Sequence, residues 1–96
     1  MELGIVRGQV VATVRDSGLP NLTLLVVDVI DGQGNVVRAG QVAADTIGAG
    51  EGEWVLLVRG SSARLILETQ TPLDMSVIGI VDQVTSGKKA LYDKSV

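Results

Sequence analysis

Three stretches of this chain are apolar almost without interruption: Leu24-Leu25-Val26-Val27, Trp54-Val55-Leu56-Leu57-Val58 and Val77-Ile78-Gly79-Ile80-Val81. A strand with one wet face alternates apolar and polar residues, whereas a strand covered on both faces reads as a continuous apolar run. The runs are short, rich in β-branched residues and bounded by glycines, so they read as strands. The chain has 96 residues, which predicts a single domain over residues 1–96. A domain of that size buries only roughly 60–70% of its unfolded surface, and a small barrel has one interior. Half of each run must therefore point away from the interior. With almost no helix in prospect to cover it, the outward half is expected to meet another protein chain, because soluble monomers rarely expose large apolar patches.

Composition agrees with an all-β chain. Apolar residues make up 46% of it, and the mean hydropathy is +0.38. The apolar residues are mainly Val, Leu, Ile and Ala, with two Met, one Trp, one Tyr and no Phe, and there are 12 glycines. Stiff branched side chains suit pleated, packed surfaces.

The expected strands are Leu3–Arg15, Leu22–Ile30, Val36–Ala44, Glu53–Arg59 and Met75–Val84. Gly8 interrupts the first and marks a bulge or a bend. Asp31-Gly32-Gln33-Gly34-Asn35 has hairpin-turn chemistry. Residues Asp45 to Gly52 form a glycine-rich loop, and Gly60-Ser61-Ser62-Ala63-Arg64-Leu65 can start one short helical turn capped by serine. After a turn at Thr85-Ser86-Gly87, a short tail from Lys88 to Val96 has room for one more strand. Five strands at this spacing predict a small barrel or sandwich.

Most chemistries find no footing in these residues. With no cysteine and no histidine, thiolate metal sites, Cys nucleophiles and imidazole bases are excluded. Gly48-Ala49-Gly50-Glu51-Gly52-Glu53 resembles a phosphate cradle only superficially. No Lys-Ser/Thr follows it, a strand rather than a helix comes next, and two glutamates would repel phosphate. Asp28, Asp31, Asp45, Glu51, Glu53, Asp74 and Asp82 match no cation-loop spacing and fall where turn chemistry expects them. Gly60-Ser61-Ser62 is not a nucleophile elbow. The reading is therefore no catalytic residue, no cofactor and no metal. No apolar run approaches the ~20 residues of a membrane-spanning helix, and the N-terminus does not read as a signal peptide. An oligonucleotide-binding barrel is the alternative reading. It needs aromatic platforms in a basic groove, and the net charge of −3 with two aromatic residues supplies neither.

Several blocks together resemble one family, the pentameric vertex proteins of bacterial microcompartment shells, of the ethanolamine-utilisation and carboxysome type. They are Val6-Arg7-Gly8-Gln9-Val10-Val11-Ala12-Thr13, Val42-Ala43-Ala44-Asp45, Ile47 to Leu56, Arg59-Gly60-Ser61-Ser62-Ala63-Arg64, Pro72-Leu73-Asp74 and Val77-Ile78-Gly79-Ile80-Val81-Asp82. The resemblance implies an oligonucleotide-binding-like five-stranded barrel without that fold's nucleic-acid role. It implies a homopentamer seated among hexameric shell proteins in the bacterial cytoplasm, with no catalysis, no cofactor and no nucleic-acid or membrane partner. In such a ring Gly48, Ala49, Gly50, Glu51, Gly52 and Glu53 are expected near the axis, where residues without side chains permit crowding. Arg7, Trp54, Arg64, Ile78 and Ile80 are the expected subunit-interface residues. Arg7, Arg38 and Arg64 are candidates for polar contacts with the hexamers.

Overall fold

The computed structural model of the chain describes residues 1–11, 23–60 and 74–94. Strands β1 (Glu2–Val10), β2 (Thr23–Ile30), β3 (Val36–Asp45), β4 (Trp54–Arg59) and β5 (Met75–Ile80) close a barrel in the order β1-β2-β3-β5-β4. β4 returns to β1, so the ring of hydrogen bonds has no free end. Every neighbouring pair is antiparallel except β3–β5. This is the five-stranded barrel that the sequence led us to expect. The helical turn expected at Gly60–Leu65 falls almost wholly on residues 61–65, outside the described residues.

The apolar runs split by parity. Val6, Leu25, Val27, Val29, Ala43, Val55, Leu57, Met75 and Val77 form one buried cluster, the barrel interior. Gly4 lies between β2 and β4, opposite Val29 and Val55. A Cβ there would sit 2.6 Å from Leu57 Cδ1, so a residue without a side chain is what lets these strands carry large residues.

Gly8 does mark a bulge. The β1–β2 register slips between Val6 and Gly8, leaving Arg7 without an opposite residue. A second slip lies in β3, between the partners of Val27 and Val29. Asp28, on the strand between them, serves both irregularities. Its Oδ2 accepts from Arg7 Nε at 2.8 Å and its Oδ1 from the Gly40 N–H at 3.0 Å. Bulges strand backbone groups that a regular ladder would pair; here one carboxylate takes up the Gly40 backbone N–H on one side and the side chain of the bulged Arg7 on the other.

One expectation needs correction: the fifth strand ends at Ile80, not Val84. The further strand for which the tail after Thr85-Ser86-Gly87 had room is present. β6 (Gln83–Ser86) and β7 (Lys89–Asp93) form a separate two-stranded hairpin that turns at Gly87, where φ is +61°. The hairpin changes the fate of the outer barrel face. Ile30, Trp54 and Val81 form a second buried cluster outside the barrel, packed by Leu3, Ile5 and Leu56 and by Val84 and Tyr92 of the hairpin. The Tyr92 ring stacks on Trp54 with centroids 4.4 Å apart and planes 14° from parallel. The chain therefore covers part of its own outer face. The turn and a strand after it were readable in the sequence, but not that they pack over the outer barrel face.

Candidate functional site

The glycine loop is built from Asp45 outward. Asp45 is buried at the end of β3, and its carboxylate accepts from the N–H groups of Ile47, Gly48 and Ala49 at 3.0, 3.2 and 2.8 Å. Charge-assisted bonds of this kind hold a loop more firmly than neutral ones. Ala49 thereby packs against the barrel core. The loop's far end is tied to β1: the Gly52 N–H donates to the Val6 carbonyl at 2.8 Å, and the Val6 N–H donates to the Glu53 carbonyl at 3.0 Å. Gly48 and Gly52 have φ of +87° and +85°, the left-handed region that a side chain disfavours. The glycines are thus explained by backbone geometry. Sequence alone pointed to this, but not to Asp45 as the organiser.

The two glutamates of the loop differ. Glu51 is exposed. Glu53 is engaged: its Oε1 accepts the Gly50 N–H at 2.6 Å, and its Oε2 pairs with Lys94 Nζ at 2.7 Å. The Lys94 ammonium, and then the Gly50 N–H, hold the Glu53 carboxyl below its ordinary 4.5.

The other expected site residues scatter. Trp54 is 9% exposed, its ring covered by Tyr92. Arg7 is exposed but paired with Asp28. Ile78 and Ile80 are half-buried on β5. Arg64 lies outside the described residues. Arg38 pairs with Glu2, which also pairs with Arg59, so one carboxylate on β1 joins β3 and β4 at one end of the barrel.

Pattern reading missed the exposed apolar set. Val36, Val37 and Val42 on β3 and Ile47 just beyond it are 49%, 56%, 44% and 48% exposed. Val36 and Val37 were readable as valines opening an expected strand, Val42 as part of it and Ile47 as a residue of the glycine-rich loop, but only the fold shows that nothing described covers them. Val42 lies opposite half-buried Val26 on the outer face.

The arrangement offers little chemistry. Asp28, Asp31, Asp45 and Glu53 are taken up by local hydrogen bonds or ion pairs. Among the described residues no three potential metal ligands come together, and no helix is long and apolar enough to cross a membrane.

Fold and surface together define a small closed barrel with a braced glycine loop and several exposed apolar side chains on and just beyond β3. The chain belongs to the family described as "Ethanolamine utilisation protein EutN/carboxysome", which it matches over residues 1–82. It is 54% identical over 95 residues to the bacterial microcompartment shell vertex protein EutN of Escherichia coli K12, covering 98% of this chain and 100% of that one. A solved structure of ethanolamine utilization protein EutN superposes with a TM-score of 0.91 at 53% identity, over 98% of this chain and 99% of that one. The GrpN pentameric microcompartment shell protein from Rhodospirillum rubrum gives a TM-score of 0.80 at 40% identity, over 91% of this chain and all of that one. These relatives are shell proteins rather than enzymes.

Proposed function

We propose that this chain is a structural subunit of a bacterial microcompartment shell, in which five copies close a ring that caps a vertex among hexameric shell proteins. The observation that carries it is that Val36, Val37 and Val42 on β3 and Ile47 beyond it are each close to half exposed. Its likeness to vertex proteins, one pentameric relative among them, supplies the context. A head-to-tail ring buries two different patches of every subunit and closes without leaving either free. The exposed β3 residues are one patch, and Ile78 and Ile80 on β5 belong to the seam with it. Trp54 drops out of the seam, because Tyr92 already occupies its face.

The glycine loop is placed near the ring axis. The carboxylates lining the opening are then those of Glu51, since Glu53 is turned onto Gly50 and Lys94. Native mass spectrometry of the purified chain at micromolar concentration tests the proposal. A five-fold mass is expected; a single-chain mass overturns it.

A further inference from the structure

The C-terminal hairpin β6–β7 is attached to the barrel in an unusual way. Its strands pair with each other and not with the barrel sheet. It is held at its base by the Val81 N–H, which donates to the Trp54 carbonyl at 2.8 Å, while the Lys94 N–H, donating to the Asp82 carbonyl at 2.8 Å, closes the hairpin's own two ends. Beyond the base it is held by side chains: Val84 and Tyr92 on the outer apolar cluster, and Lys94 on Glu53. The family match ends at residue 82, where the hairpin begins.

One residue connects this hairpin to the glycine loop. Glu53 stands next to Trp54, the centre of the hairpin's apolar seat. Its two carboxylate oxygens divide between the two structures, one to the Gly50 N–H and one to Lys94 Nζ. The fit at Gly50 is close: a Cβ there would lie 3.2 Å from Glu53 Oε1. Whatever moves Lys94 moves the carboxylate that holds Gly50, and whatever displaces Gly50 disturbs the Lys94 pair.

We infer that the docked hairpin β6–β7 sets the conformation of the glycine loop, with Glu53 as the positioning residue between Lys94 and Gly50. A chain that contacts the hairpin can then alter the loop without touching it. The coupling is a property of one chain and does not depend on the ring; where the loop lines an axial opening, the hairpin becomes its regulator. The same linkage runs in both directions, because a coupling free energy is reciprocal.

Amide hydrogen exchange of the full chain tests this from both ends. Lys94→Met is expected to raise exchange at Gly50 roughly two- to five-fold, the size an exposed ion pair carries. Tyr92→Ala, which removes the stacking partner of Trp54, is expected to raise it further. Gly50→Ala, perturbing only the loop, is expected to shift the emission of the single tryptophan to longer wavelength and to speed exchange at the Lys94 amide. Circular dichroism and native mass verify that each variant keeps its strands and its assembly state. Unchanged exchange at Gly50 in both Lys94→Met and Tyr92→Ala overturns the inference, as does a Gly50→Ala chain whose hairpin amides exchange as before. A failure of the ring would register separately, as a single-chain mass.

Discussion

Single residues fix the places where this barrel tolerates no substitution. A methyl group on Gly4 meets Leu57 Cδ1 at 2.6 Å and the Asp28 carbonyl at 3.3 Å, with Leu57 fully buried. Gly4→Ala is therefore an overpacking change, expected to destabilise the fold by about 1–3 kcal/mol in urea unfolding. Asp45→Ala removes the acceptor of three loop N–H groups. A loss of about 1–3 kcal/mol is expected, together with faster exchange at Ile47 to Ala49. Glu2 carries the pH dependence. The Arg59 hydrogen bond first, and then that of Arg38 against the opposing effect of burial, hold its carboxyl below its ordinary 4.5. A carboxyl lowered in the folded state stabilises above its unfolded value, and that stability disappears as pH falls through the folded value. Stability measured by urea midpoint should thus fall as pH drops below about 4.5, where Asp28, Asp31 and Glu53, lowered in the same direction, add to the trend. Glu2→Gln should flatten the curve without abolishing it.

At the scale of elements, strand identity was legible and strand covering was not. β2, β3 and β4 begin within a residue of where composition and turn chemistry place them. The bulge at Arg7 was announced by Gly8. The turn after Thr85 and room for a strand beyond it were legible too, but β6 as a separate strand was not, because four residues of mixed polarity are too short a pattern to read. The hairpin's contribution rests on long-range contacts, chiefly Tyr92 on Trp54, which no local window reports. Tyr92→Ala should cost about 1–3 kcal/mol, from the stacked pair and the area it covers, and should move tryptophan emission to longer wavelength.

For the whole molecule, the decisive quantity is which apolar surface is left over. The hairpin satisfies the outer face around Trp54, so the surplus lies on β3 instead. Val42→Asp places a carboxylate among the exposed apolar residues of β3 while leaving the barrel interior untouched. Each proposed seam should weaken on the order of 100-fold, from burial of an unpaired charge, and native mass should shift from the five-fold to the single-chain value. Circular dichroism should stay that of the parent, since a residue already half exposed contributes little to the core.

The sequence by itself determined the all-β barrel, the absence of thiol and imidazole chemistry, the family and the excess of apolar surface. The strands, the missing thiol and imidazole chemistry and the apolar excess follow from residue types and from periodicity over a few neighbours, while the barrel and the family rest on the resemblance carried by blocks along the chain. Only the tertiary structure decided where the excess goes. Whether an outward residue is covered depends on which distant segment packs over it, as Tyr92 does over Trp54, 38 positions away. The same holds for Glu53. Its charge was visible in the loop, but of its two partners one is a local turn contact three residues away and the other, Lys94, is brought to it only by the packing of the C-terminal hairpin. The apolar runs that pointed to assembly lie on β2, β4 and β5, whereas the exposed valines that the proposed seam uses lie on β3, where no run announced them.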